Sequence, residues 1–191
     1  MKKTAITAAP VLPVIAERWS PRAYDENHVL THHDLLSILE AGRWAPSANN
    51  AQPWRFSVGV KGDDLFDAIR AGFSGWNQQW SARASAVLVI SVKNQQPDGA
   101  PYPIAVFDAG LTAQNMMLQT TELGLIAHPI SGFDAAAIHQ TLELADDLTV
   151  IAALVIGKQA DPATLEGPAY EREVSARVRH DLDDIVLHGK P

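Results

Sequence analysis

The chain has 191 residues, 47% of them hydrophobic, with a net charge of −7. That suits one domain with a sizeable core and argues against nucleic acid as a general partner. It has no cysteine, which excludes disulfides, thiolate metal sites and a cysteine nucleophile and favours a cytoplasmic setting, and no apolar run is long enough to cross a bilayer.

Met1-Lys2-Lys3 followed by Thr4 to Val14 has the outline of a signal peptide. Pro10 and Pro13 interrupt it, no small-x-small cleavage site follows, and Glu17 closes it, so residues 1–16 read as an exposed arm ahead of a domain over 17–191. In Arg18-Trp19-Ser20-Pro21-Arg22, alternate residues of an extended chain point to one side. Two guanidiniums and a hydroxyl on one face make an anion grip, although arginine pairs also occur on plain solvated surfaces.

A helix is predicted from about Thr31 to Ala45, with Thr31 and Asp34 in a capping arrangement and Leu35, Leu36, Ile38 and Leu39 on its apolar face. His32 and His33 open it, but no second ligand pair completes a metal site, so no metal is expected. Pro46 should end this helix. Ser47, Asn49, Asn50 and Gln52 then form a hydroxyl- and amide-rich loop before the alternating strand Trp54 to Val60. The loop serves equally as a plain connector or as a grip for a flat polar ligand.

Asp63 to Ala71 reads as a short helix, and Gly72 to Gln79, with Trp76 and Asn77, as a loop. The run Ala86 to Val92 is β-branched without alternation, which predicts a strand covered on both faces. Asn94 to Pro103 reads as a mobile loop. Ile104 to Leu123, small or apolar nearly all round and closed by Gly124, is expected as a buried helix at the centre of the fold or of an interface. A short strand, Leu125 to Pro129, leads into Ile130-Ser131-Gly132-Phe133, where a glycine permits close approach to a flat ring. Asp134 is the N-cap of a helix to about Leu144, and Thr149 to Ile156 is a second non-alternating strand. Lys158 to Ala169 reads as a surface segment, and the tail carries Arg172, Arg177 and Arg179 before the apolar Leu182, Ile185 and Val186, so it should be docked.

Alternating strands and helices give an α/β or α+β class with one central sheet. Dinucleotide-binding GxGxxG and phosphate-loop GKS/T motifs are both missing, which leaves a mononucleotide-like cofactor such as a flavin as a fit to two arginine pairs and an amide-rich loop. No nucleophile elbow is present either.

Taken together, Arg18-x-Ser20-x-Arg22, Pro46-Ser47-Ala48-x-Asn50-x-Gln52-Pro53-Trp54, Asp108-Ala109-Gly110, Pro129-Ile130-Ser131-Gly132-Phe133 and Arg177-x-Arg179 resemble the FMN-dependent nitroreductase family, from about Glu17 to Val186. The resemblance implies an α+β, three-layer fold with a mixed, mainly antiparallel sheet and a C-terminal tail exchanged between the subunits of a homodimer. It implies two FMN sites at the interface. Arg18, Ser20, Arg177 and Arg179 would hold the phosphate, with Trp19 beside them, and Arg22 would lie by the N1–O2 edge of the ring. Pro46, Ser47, Ala48 and Asn50 would come from the partner, and Gln52 would also bind the cofactor. Asn77 would contact the ring, and Pro129, Ile130, Ser131 and Gly132 would line it near N5.

The activity implied is hydride transfer from NADH or NADPH to a nitroaromatic, quinone or activated enal by a ping-pong route, with no dedicated catalytic side chain. The alternatives are a flavin store or sensor without turnover, and a member with altered flavin chemistry. Ser131 stands where some members carry an acid and Trp80 near a position basic in others.

Overall fold

A computed structural model describes residues 1–96 and 98–189. The short helix α1 (Pro13–Glu17) is followed by α2 (His32–Arg43), β1 (Trp54–Val60), α3 (Asp64–Ala71), α4 (Gly75–Ser81), β2 (Ala86–Lys93) and α5 (Ala105–Glu122). Then come β3 (Ile126–Ile130), α6 (Ala135–Thr141), β4 (Leu148–Gly157), α7 (Gly167–Val174) and α8 (Leu182–Ile185). The four strands form one sheet in the order β1-β2-β4-β3, and every pairing is antiparallel. The expected mixed sheet is therefore fully antiparallel among the described residues.

The two strands without alternation occupy the middle of the sheet, which is why their sequence carries no polar face. Ala86, Leu88, Ile90 and Val92 pack with Leu154, Ile156, Ile38 and Met116 on one side. Val87 and Val89 pack with Val155, Phe66, Ile69, Ile138 and Trp80 on the other. The period of two along β2 thus sends successive side chains into two separate cores, and helices α2 and α5 cover one while α3, α4 and α6 cover the other.

Helix α2 meets α5 at Gly42, where an added Cβ would come 2.9 Å from Thr112 Oγ1, and the Thr112 hydroxyl donates to the Gly42 carbonyl at 2.8 Å. The caps follow the sequence. Thr31 Oγ1 accepts from Asp34 N, Asp63 from Phe66 N and Asp134 from Ala137 N, and Gly124 turns the chain after α5 at φ +69°.

Three expectations are corrected. The segment over 72–79 is mostly helix α4, so Asn77 sits on a buried helical face and not in a loop. Helix α5 is buried along one face only: Val106 and Phe107 are 57% and 63% exposed. The segment after Lys158 already contains the start of α7, opened by Gly167 with φ +53° and a proline in its first turn. Of the loop expected over 94–103, Pro97 lies outside the described residues, while Gln95 and Pro101 pair as an antiparallel bridge.

Candidate functional site

The segment over 18–24 crosses from α1 towards the edge of the sheet as extended chain and is fixed from three directions. The backbone N–H groups of Arg22 and Ala23 donate to Glu173 Oε2 and Oε1 at 2.8 and 3.3 Å. His128 Nδ1 meets the Pro21 carbonyl at 2.9 Å, and the Tyr24 hydroxyl donates to the Val155 carbonyl at 2.8 Å. Trp80 lies between these anchors, with its ring centroid 6.1 Å from that of Tyr24 and 4.7 Å from that of His128. Trp80 is therefore a core residue, 4% exposed.

This clamping aims Arg18, Ser20 and Arg22 into one cleft of about 220 Å³, whose other wall is the end of α7 and the tail. Arg172, Arg177, Arg179 and Lys3 also line it, so that among the described residues it holds six basic side chains and no carboxylate. The two arginine pairs, more than 150 residues apart in sequence, thus meet as expected.

The electrostatics of the cleft are those of an anion site. Burial, then Arg177 and Arg179, hold Arg18 below the usual guanidinium range. Burial and Arg179 do the same to Arg177, and burial does so to Arg22, against the opposing pull of Glu173. Arg22 Nε is buried with no hydrogen-bond partner. A guanidinium donor left unpaired in a positive cleft is a costly arrangement unless something anionic or polar reaches it.

A second cluster adjoins the first along β3. Past His128, the residues Pro129, Ser131 and Gly132 are exposed and Ile130 is buried. The Gly132 carbonyl accepts from Ser74 N at 2.9 Å and from Asn77 Nδ2 at 3.0 Å, so the turn is held by the start of α4. A Cβ at Gly132 would come 2.7 Å from Asn77 Nδ2 and 3.2 Å from Ser74 Oγ. Only glycine lets the backbone lie this close to Asn77 while its other side remains open. Arg172, with its guanidinium 5.6 Å from the Trp76 ring, bridges the two clusters.

The structure does not bring the amide-rich loop to this cleft within one chain. Pro46, Ser47, Ala48, Asn50 and Gln52 follow α2, and none lines the arginine cleft among the described residues. Asn49, Asn50 and Gln52 take left-handed backbone, with φ of +52°, +55° and +50°. The loop is braced by Gln52 N donating to Ser47 Oγ at 3.0 Å and by a buried pair, in which Tyr102 donates to Asp108 Oδ2 at 2.6 Å and Asp108 Oδ1 accepts from Ala48 N at 3.4 Å. Burial and the Asp108 carboxylate push the Tyr102 phenol up to about 12, so it stays a donor.

Sequence reasoning missed Glu173, His128, Arg172 and Lys3 as contributors to this face. A buried glutamate among surface-coded residues of α7 and a histidine inside an apolar strand are signals that only tertiary structure resolves. Arg172 could have been found from its spacing of five residues before Arg177.

The Nitroreductase family profile matches residues 15–72 and 60–158. A Haemophilus influenzae protein, provisionally named as an NAD(P)H nitroreductase, is 27% identical over 177 residues, covering 88% of this chain and 78% of its own length. The crystal structure of an oxidoreductase containing FMN superposes with a TM-score of 0.89 at 34% identity, over 97% of this chain and 94% of that one. A protein from Desulfovibrio desulfuricans, provisionally a nitroreductase and crystallised in complex with FMN, gives a TM-score of 0.78 at 26% identity, over 96% of this chain and 99% of its own. With the profile matching well over half of its length, the chain belongs to the nitroreductase family.

Proposed function

We propose that the protein is an FMN-dependent NAD(P)H oxidoreductase that passes hydride from a nicotinamide to a nitroaromatic, a quinone or an activated enal. The observation that carries this reading is the convergence of Arg18, Arg22, Arg172, Arg177 and Arg179 on one cleft without a carboxylate on its lining. The residues present suit FMN in three ways. The cleft offers forked donors to a phosphate dianion. Arg22 brings to the cleft a guanidinium whose Nε has no partner among the described residues. The shelf from Pro129 to Gly132 is open and, at Gly132, free of a side chain.

When bound, FMN supplies two-electron transfer at its ring, so the chain needs no general acid or base for the hydride step. The work of the protein is then binding and orientation. Arg18, Ser20, Arg177 and Arg179 hold phosphate, and Trp19 flanks them. Arg22 sets a fixed cation that favours added electron density on the ring and so raises its potential. Asn77 fixes the Ser131-Gly132 turn, which with Pro129 and Ile130 forms the ring shelf. Turnover is ping-pong on this reading, with the nicotinamide leaving before the acceptor takes the same open face.

The reading includes a homodimer in the cytoplasm, with Pro46, Ser47, Ala48, Asn50 and Gln52 of a second copy closing over the ring and with the tail exchanged beyond Arg179, which itself lines the cleft of its own chain. Support comes from large apolar side chains that one chain leaves uncovered: Trp44 is 73% exposed, Phe107 63%, Val106 57% and Leu187 81%.

The test is the absorbance spectrum of the purified protein, followed by anaerobic titration with NADH and NADPH and an acceptor panel, with size-exclusion mass measurement alongside. A yellow dimer that bleaches with a nicotinamide and recolours with an acceptor is expected. A colourless monomer that takes up no added FMN refutes the reading.

A further inference from the structure

The N-terminal arm is exposed along most of its length but is tied to the tail at Lys3 and Ala16. Ala5 N donates to the Ala16 carbonyl at 2.8 Å, and Arg177 Nη1 donates to the carbonyls of both Lys3 and Ala16, at 2.6 and 2.8 Å. Lys3 itself reaches into the arginine cleft. Its ammonium donates to the Ser175 carbonyl at 2.5 Å, lies 4.4 Å from the Trp19 ring centroid, and lines the same cavity as Arg18, Arg22 and Arg179.

Among the described residues no carboxylate lines this cleft to balance the charge. Glu173, the carboxylate that acts on Lys3 and Arg22, is fully buried and already accepts two backbone N–H groups. Burial and the neighbouring Arg177 and Arg22 lower the Lys3 ammonium, with Glu173 alone opposing them. Docking a sixth cation on five is unfavourable by itself and becomes favourable once a dianion occupies the cleft.

Resting on the FMN reading above, we propose that Lys3 is a phosphate-binding residue delivered by the N-terminal arm, so that docking of the arm and binding of the phosphorylated flavin reinforce each other. The ammonium suits the task, since it is a compact charge on a flexible stem and can reach a phosphate oxygen without the fixed fork geometry of its arginine neighbours. Arg177 transmits the coupling, because one guanidinium both pins the arm and faces the cleft. Linkage then requires that whatever the phosphate gains from the docked arm, the arm gains from the phosphate.

The test compares FMN with riboflavin, which has the same ring and no phosphate, as ligands of the full-length apoprotein. Lys3→Met should weaken FMN binding about 10-fold, the loss of one partly screened charge-assisted contact, and leave riboflavin binding unchanged. Lys3→Arg should keep FMN within about 3-fold of wild type, since the charge is retained. In wild type, FMN should slow tryptic cleavage after Lys2 and Lys3, and riboflavin should not. Unchanged FMN affinity in Lys3→Met, an equal loss for both flavins, or arm cleavage indifferent to FMN would overturn the inference. A wild type that binds neither flavin would instead refute the FMN reading beneath it.

Discussion

Glu173→Gln tests whether the arginine-bearing segment is held in place from behind. Glu173 is fully buried, and its two oxygens accept from Arg22 N at 2.8 Å and from Ala23 N at 3.3 Å. Glutamine fills the same space but presents one carbonyl oxygen and one amide NH2. It can keep the shorter contact only by turning its NH2 towards Ala23 N, donor against donor. The loss is therefore one weak charge-assisted bond together with a buried N–H left without an acceptor, about 2–3 kcal/mol.

For a chain of this length that corresponds to a fall in Tm of about 4–12 °C. The deficit should be largest in the apoprotein. Removing the carboxylate takes away the negative charge that acts on Arg22 and Lys3, and the phosphate of bound FMN supplies another. Thermal unfolding of wild type and variant, each with and without saturating FMN, measures both effects. If the apo variant melts with wild type, Glu173 does not hold the segment. If FMN leaves the gap between them as wide as before, the charge argument is wrong.

Two further predictions probe the same face. Arg22→Ala should retain the fold, weaken FMN binding about 10- to 100-fold through loss of a charge-assisted contact, and lower the flavin midpoint potential; an unchanged potential by spectroelectrochemistry would remove Arg22 from the ring edge. His128, pushed down to about 4 by burial and then by Arg22, is neutral when folded but titrates near 6.5 when unfolded. Its unfolded form binds the extra proton, so stability is complete above pH 6.5 and falls by about 3 kcal/mol as the pH drops towards 4. His128→Asn, which keeps a donor for the Pro21 carbonyl, should lack this component; equal slopes of unfolding free energy between pH 4 and 7 for the two proteins would assign the titration elsewhere.

Much of this was legible because local chemistry and global position agree. The caps at Thr31 and Asp134 act within four residues, and each forms as its sequence implies. The runs over 86–92 and 149–156 announce two-sided burial by their lack of alternation, and they are the central pair of the sheet. The segment Gly72 to Gln79 misled because glycine, serine and asparagine disfavour helix, yet Trp76 and Trp80 are four apart and give α4 an apolar side that packs beneath the sheet. Helix α5 misled in the opposite sense. Small residues on every side imply burial, but the chain alone covers only the side that carries Ala105, Ala109, Thr112 and Met116. Glu173 and His128 were illegible for a simple reason. Each takes its role from backbone groups of the segment Pro21 to Ala23, more than a hundred residues away, and no local pattern encodes that meeting.

The amide-rich loop bears on the second copy proposed above. Three non-glycine residues with left-handed backbone cost about 1 kcal/mol each, and the loop is largely exposed, so burial within one chain returns little of it. The conformation is nevertheless enforced by a buried Tyr102–Asp108 pair whose second carboxylate oxygen takes Ala48 N. Strain that is braced from inside and offered outward is expected where a loop is shaped for something beyond its own chain. Beside it lie Trp44 at the end of α2 and Phe107 at the start of α5, both exposed and both apolar. The arginine cleft has the complementary shortfall, with donors for an anion and an exposed shelf but, among the described residues, none of the amide-rich loop of its own chain on its lining. An unfinished site on one surface and a braced, unemployed loop with an apolar surround on another are what a two-fold dimer joins in a single operation, because each copy both gives and receives.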